Sequence, residues 1–121
     1  MERFCVGIDI SAKTVVIAHR GVKGRVERHE FSNDGAGRRA LLHYLKKRAK
    51  LIRVVMESTG VYGLDLALLL SKNGIELMVA NPRATAHFAK AILQRSKTDA
   101  LDAEMLLLFA ESMPFLPWTA P

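Results

Sequence analysis

Phe4-Cys5-Val6-Gly7-Ile8-Asp9 is the stretch on which the fold turns. Phe4, Val6 and Ile8 alternate with Cys5, Gly7 and Asp9, the two-residue period of a β-strand. The strand ends on a carboxylate, which a buried strand does not tolerate without a reason. A polar connection, Ser11 to Thr14, leads to a second apolar run, Val15-Val16-Ile17-Ala18. Gly21 to Gly24 reads as a turn and Val26 to Phe31 as a third, more polar strand, so two hairpins follow one another.

Beyond Ser32-Asn33-Asp34-Gly35, dense in turn and cap residues, the period changes. A helix is expected over about 36–50, with Leu41, Leu42 and Leu45 inside and Arg38, Arg39, Lys46, Lys47 and Lys50 outside. Ile52 to Met56 is a short apolar strand that also ends on an acid, Glu57. Val61 to Lys72, carrying six Leu and Ala residues, reads as a well-buried helix that stops at Asn73-Gly74. Ile75 to Val79 is a fifth strand, and Asn81-Pro82 opens another helical segment. A last helix is expected from about Asp99 to Ser112, closed by Pro114 and Pro117. The order β-β-β-α-β-α-β-α-α predicts an α/β fold with a mixed five-stranded sheet. Its first three strands are antiparallel and helices cover both faces.

The chain has 121 residues, enough for one core, and its 50% hydrophobic and 25% charged residues exclude a disordered chain. A single cysteine, Cys5, excludes an internal disulfide framework and a multi-cysteine zinc site, and fits a reducing compartment. Apolar runs fall short of the roughly 18 residues that cross a bilayer, and Met1-Glu2-Arg3-Phe4 leads into a strand rather than a signal peptide. A soluble, cytoplasmic protein without a membrane partner is expected. Residues 1–50 carry 12 basic and 5 acidic side chains, residues 51–121 carry 6 and 7. A basic half fits a polyanion partner, and equally a soluble domain of high pI.

Against that basic background four acids stand out. Asp9 and Glu57 each close a strand, so if those strands are neighbours both carboxylates emerge at one end of the sheet, where α/β folds bind ligands. Each taken alone could simply mark a strand end or cap a helix. Asp99 and Asp102 lie three apart and share a helix face. They could equally be the N-cap and a first-turn acid of that helix. Four converging carboxylates repel unless a cation neutralises them. Oxygen donors without His or Cys suit Mg²⁺ or Mn²⁺. Two such ions about 4 Å apart are the usual apparatus for phosphodiester cleavage.

Four segments occur in one order: Val6-Gly7-Ile8-Asp9-Ile10-Ser11-Ala12-Lys13, Met56-Glu57-Ser58-Thr59-Gly60-Val61-Tyr62, Asn81-Pro82, and Lys97-Thr98-Asp99-Ala100-Leu101-Asp102-Ala103. In this the chain resembles the N-terminal catalytic domain of DEDD-type insertion-sequence transposases, the family of the Piv-like DNA invertases. The likeness runs from Phe4 to about Pro117, and the last block is its most specific part. The resemblance implies a ribonuclease H-like fold related to the RuvC resolvases. It implies that Asp9, Glu57, Asp99 and Asp102 are the catalytic, metal-binding acids, with Mg²⁺ or Mn²⁺ as cofactor. It implies DNA as substrate, cut and joined by strand transfer, an element-encoded guide RNA in some members, and assembly as a homo-oligomer. Such transposases continue into a C-terminal domain that supplies a catalytic serine. Residues 1–113 are therefore expected to be the catalytic domain and 114–121 a Pro-rich tail leading to a domain missing from this chain.

Two other readings remain open at this stage. A Gly-Ile-Asp-x-Ser start also begins actin-like sugar kinases and ATPases, although residues 60–110 lack a Gly-rich adenosine loop. A nucleic-acid-binding module without residual catalysis is the third. Lys13, Arg83, Lys90, Arg95 and Lys97 are candidate nucleic-acid contacts, or simply solvated surface. Ser58, Thr59 and Tyr62 could orient water near Glu57 or cap the next helix. His19, His29, His43 and His87 show no metal-ligand spacing and read as packing or surface residues, and Trp118 should need a partner surface.

Overall fold

The computed structural model describes residues 3–57, 61–93 and 102–121, with the backbone alone at Leu93 and Asp102. Three strands come first: β1 (Phe4–Ile10), β2 (Thr14–Arg20) and β3 (Val26–Ser32). There follow α1 (Gly35–Arg48), β4 (Ile52–Glu57), α2 (Leu64–Lys72), β5 (Glu76–Ala80), α3 (Pro82–Leu93) and α4 (Asp102–Ser112). The sheet order is β3-β2-β1-β4-β5, with the first three strands antiparallel and β1, β4 and β5 parallel. Helices cover both faces, and the topology is that of the ribonuclease H and RuvC folds.

The alternation within β1 explains the layers. Val6 and Ile8 are fully buried with Val54 and Met56 of β4 under Leu41 and Leu45 of α1 and Leu66 and Leu70 of α2. Cys5, Gly7 and Asp9 therefore belong to the other face, where α4 lies. A Cβ at Gly7 would come 2.3 Å from the Ala103 carbonyl oxygen and 2.3 Å from the Leu107 amide nitrogen. Only glycine at this position lets a helix backbone settle onto the central strand. Met105, Leu106 and Phe109 of α4 are then buried with Val55, Met78 and Phe88, and Phe88 meets Phe109 edge-on at 5.3 Å.

Local signals place the ends. Asp34 caps α1, its carboxylate accepting from the Gly37 amide at 2.8 Å. Gly74, with φ of 78°, turns the chain out of α2 into β5. Three expectations change. Leu64 and Leu68 are 47% and 40% exposed, because α2 rests on the sheet by one stripe and turns the other outward. Arg38 folds back onto Asn33 Oδ1 at 2.9 Å instead of facing solvent. Trp118 needs no foreign surface, since its amide donates to Leu77 O at 2.7 Å along the outer strand and its ring packs on the α1/α2-side core.

Candidate active site

The two strand-borne acids come together by register. β1 and β4 are parallel neighbours with Ile8 opposite Met56, so the next residues, Asp9 and Glu57, end adjacent strands side by side. Both are half-buried, and the two-residue period puts both on the α4 face. Residues on β1, β4 and β5 leave the sheet here at its carboxyl end.

Glu57 is held from the third layer. Thr85, in the first turn and a half of α3 and wholly buried, donates its hydroxyl to Glu57 Oε2. That hydroxyl also lies 3.0 Å from Pro82 O, while the Thr85 amide donates to Asn81 O at 3.1 Å. Asn81 Oδ1 accepts from the Arg83 amide at 2.7 Å and so fixes the start of the helix that carries Thr85. Asn81-Pro82 thus acts on the site indirectly, through a hydroxyl three residues on. No pattern in the sequence singled out Thr85; a buried threonine one turn into a helix that follows a strand was the available hint.

A second polar knot borders the same end of the sheet. The Asn33 amide group donates to Ser11 O at 2.9 Å and Tyr62 O at 3.0 Å, and its backbone N–H donates to Lys13 O at 2.8 Å. One side chain therefore ties the β1–β2 turn to the segment that follows β4. Ser11 and Thr14 hydroxyls meet at 2.8 Å inside that turn.

The helix-borne acids stand differently. Asp102 is the first residue of α4. That helix runs antiparallel to β1, with Ala103 and Leu107 over Gly7 and Glu111 reaching Arg20 beyond Cys5. Its N-terminus, and with it the Asp102 backbone, therefore lies toward the end of β1 that carries Asp9. Asp99 lies outside the described residues, as do Arg95, Lys97, Ser58 and Thr59. Lys13, Arg83 and Lys90 are exposed, and Tyr62 presents half its surface to solvent.

The histidines require a correction. His19 and His29 are far from unrelated: with Glu27 they place metal-capable atoms within 4.8 Å of one another, a His/Glu/His cluster consistent with a divalent cation. The hairpin register sets His19 opposite Glu27, which linear spacing conceals. This cluster lies on the α1 face, whereas Asp9 and Glu57 lie on the α4 face.

With this geometry in place, comparison with known proteins gives a consistent answer. A family model described as a transposase, of the DEDD type found in IS110 elements, matches residues 6–116. The chain belongs to this DEDD transposase family. It is accordingly a transposase domain with a RuvC-like fold. A search of the curated proteins finds no match. Among solved structures, RuvC of Thermus thermophilus in complex with a Holliday junction substrate superposes with a TM-score of 0.66. It has 13% identity, with 97% of this chain and 100% of that chain covered. A second T. thermophilus RuvC structure gives a TM-score of 0.61 at 14% identity, over 94% of this chain and 99% of the other. Among the described residues no helix is long and apolar enough to cross a membrane.

Proposed function

We propose that the chain is the catalytic domain of a DNA transposase whose site is built from Asp9, Glu57, Asp99 and Asp102. The observation that carries the reading is the pairing of Asp9 and Glu57 at the ends of adjacent parallel strands on one face. Two carboxylates side by side repel each other, and a divalent cation held by both would relieve that repulsion. The donor set is all oxygen, which fits Mg²⁺ or Mn²⁺ and not a softer ion. Asp9, Glu57 and the helix aspartates would hold the ions. When bound, such ions lower the pKa of an attacking water and offset charge on the scissile phosphodiester.

The chain's own contribution is positioning. Thr85 aims one oxygen of Glu57. Gly7 lets the α4 backbone settle directly on β1. Lys13, Arg83 and Lys90, with Arg95 and Lys97, would follow the backbone of DNA, as the excess of 18 basic over 12 acidic residues supports. Residues 114–121 would lead on from the catalytic domain, 1–113, to a C-terminal domain. Assembly as a homo-oligomer has support in Leu64 and Leu68, exposed four residues apart on α2, and in Val61, exposed in the turn before it. A guide RNA is compatible with the same basic surface, and the lone cysteine supports action in the cytoplasm.

The test is Mn²⁺ titration of the full chain, read by electron paramagnetic resonance, together with nicking of supercoiled and four-way-junction DNA. Asp9→Asn should abolish tight Mn²⁺ binding and nicking while circular dichroism stays unchanged. Undiminished Mn²⁺ affinity in Asp9→Asn and Glu57→Gln would overturn the reading. Salt-dependent DNA binding without nicking at any Mn²⁺ concentration would leave a binding module in its place.

A further inference from the structure

We propose a second, chemically different metal site on the opposite face of the sheet, formed by His19, Glu27 and His29 and suited to an imidazole-preferring ion such as Zn²⁺. It goes beyond the nuclease reading and does not depend on it.

Cross-strand geometry assembles the ligands. His19 on β2 stands opposite Glu27 on β3, and His29, two residues along β3, shares their face. His29 Nε2 lies 3.5 Å from Glu27 Oε1. Ligand atoms about 2.0–2.2 Å from a tetrahedral zinc are about 3.3–3.6 Å apart, so these two already hold the spacing of a shared ion. All three donors fall within 4.8 Å of one another.

His19 is prepared for ligation. Its Nδ1 is 3.0 Å from the Arg20 carbonyl oxygen, which can only accept, so Nδ1 carries the proton. In the neutral ring Nε2 then has the lone pair, and it faces the Tyr44 hydroxyl at 2.7 Å. A ligating histidine is commonly oriented this way, with its far nitrogen anchored on a backbone carbonyl. His19 is 2% exposed, whereas the Glu27 and His29 side chains are 43% and 37% exposed. The site is anchored at its base and open to entry at its rim. Glu27 Oε2 also rests against Gly21, where a Cβ would come within 1.8 Å of it. The missing side chain at position 21 leaves room for the carboxylate to stay beside His29.

The donor types decide the ion. Two imidazoles and one carboxylate suit zinc or another late transition metal, and give Mg²⁺ no advantage over water. Location excludes a part in the strand-end chemistry. His19 pairs with Val6 while Asp9 pairs with Val16, so the two sites are separated along β1 as well as by the sheet. An ion here would clamp the outer hairpin, with Tyr44 of α1 giving up its bond to His19 and remaining as a neighbour.

The test uses the full chain stripped of metal and titrated with Zn²⁺ and with Co²⁺ as a spectroscopic probe. One equivalent should bind, Co²⁺ should develop intense visible bands of tetrahedral type, and the melting temperature should rise. Glu27→Gln and His29→Ala, both at the exposed rim and so compatible with folding, should weaken binding at least about tenfold while sparing Mn²⁺ binding. Tyr44→Phe should tighten it by freeing His19 Nε2. Zn²⁺ affinity kept in His29→Ala but lost in Asp9→Asn would overturn the proposal, placing the ion at the strand-end acids. So would the absence of both visible bands and thermal shift at a hundredfold excess of metal. Either result leaves the Mn²⁺ outcome untouched, so the two readings fail separately.

Discussion

One face of the sheet carries two rows of polar residues, four positions apart on the same strands, and they are treated in opposite ways. At the amino end Glu76 takes Arg3 at 2.8 Å and Arg53 at 3.4 Å, and Glu111 takes both arms of Arg20 at 3.0 Å. Arg53 also lies over the Phe115 ring, 4.1 Å from its centroid. Both of these acids are matched by cations within the chain, and Arg3, Arg20, Arg53 and Glu111 line a cavity of about 530 Å³. Burial pushes the Cys5 thiol in its wall upward, away from reactivity. At the carboxyl end Asp9 and Glu57 stand beside each other, and Glu57 is held by the neutral hydroxyl of Thr85. A hydroxyl fixes a carboxylate without cancelling its charge. At the amino end acids meet guanidinium groups; at the carboxyl end two acids stand side by side and a hydroxyl, not a cation, orients Glu57.

The sharpest way to break this contrast is to remove the helix that both ends share. In Gly7→Val the new side chain would meet backbone at 2.3 Å, and backbone cannot rotate aside. Overpacking costs of about 1–3 kcal/mol are ordinary, and this contact belongs at or above that range. Urea denaturation should show the loss, and hydrogen exchange should show α4 opening before the β1–β2 hairpin. Mn²⁺ affinity should fall with it, because the leading end of α4 moves away from Asp9.

Thr85→Val comes next and acts on one end alone. The swap keeps shape but strips Glu57 Oε2 of its donor. A stability loss of about 1 kcal/mol is expected for one hydrogen bond. If Glu57 is a metal ligand, Mn²⁺ binding should weaken about 10–100-fold, and Thr85→Ser should restore it. A valine variant with unchanged Mn²⁺ affinity would show that the hydroxyl serves packing only.

These two residues mark the limit of what the sequence discloses. Strand and helix order was legible because the two- and 3.6-residue periods are local. The approach of Asp9 to Glu57 was legible conditionally, since both acids end strands and only their adjacency was missing. Gly7 read merely as part of a Gly-Ile-Asp run, because its purpose is a helix almost a hundred residues later. Thr85 was silent because one hydroxyl carries no pattern, and its partner lies 28 residues away. The His19, Glu27 and His29 group was hidden by the habit of counting ligands along the chain. Strand pairing across the Gly21–Arg25 turn brings His19 to Glu27, where spacing along a helix would have kept them apart.

The smallest effect belongs to the amino end, and its smallness is the point. Glu76→Gln removes the shared partner of Arg3 and Arg53. The Glu76 side chain is 41% exposed, so solvent screens the pairs and the cost should stay below about 1 kcal/mol. The Arg3 guanidinium, first by hydrogen bond and then by charge, holds the Glu76 carboxyl below the ordinary glutamate value of 4.5. The unfolded chain therefore takes up this proton more readily than the folded one. The contribution is present in full above about pH 4.5 and fades as the pH falls through the lower folded value. Wild type and Glu76→Gln should thus differ slightly in melting temperature at pH 7 and converge in acid, and 1 M salt should narrow the gap at neutral pH. Mn²⁺ binding should not change at all. A Glu76→Gln variant that lost Mn²⁺ affinity would mean that charge at one end of the sheet governs the other, and the division between the two rows would fall.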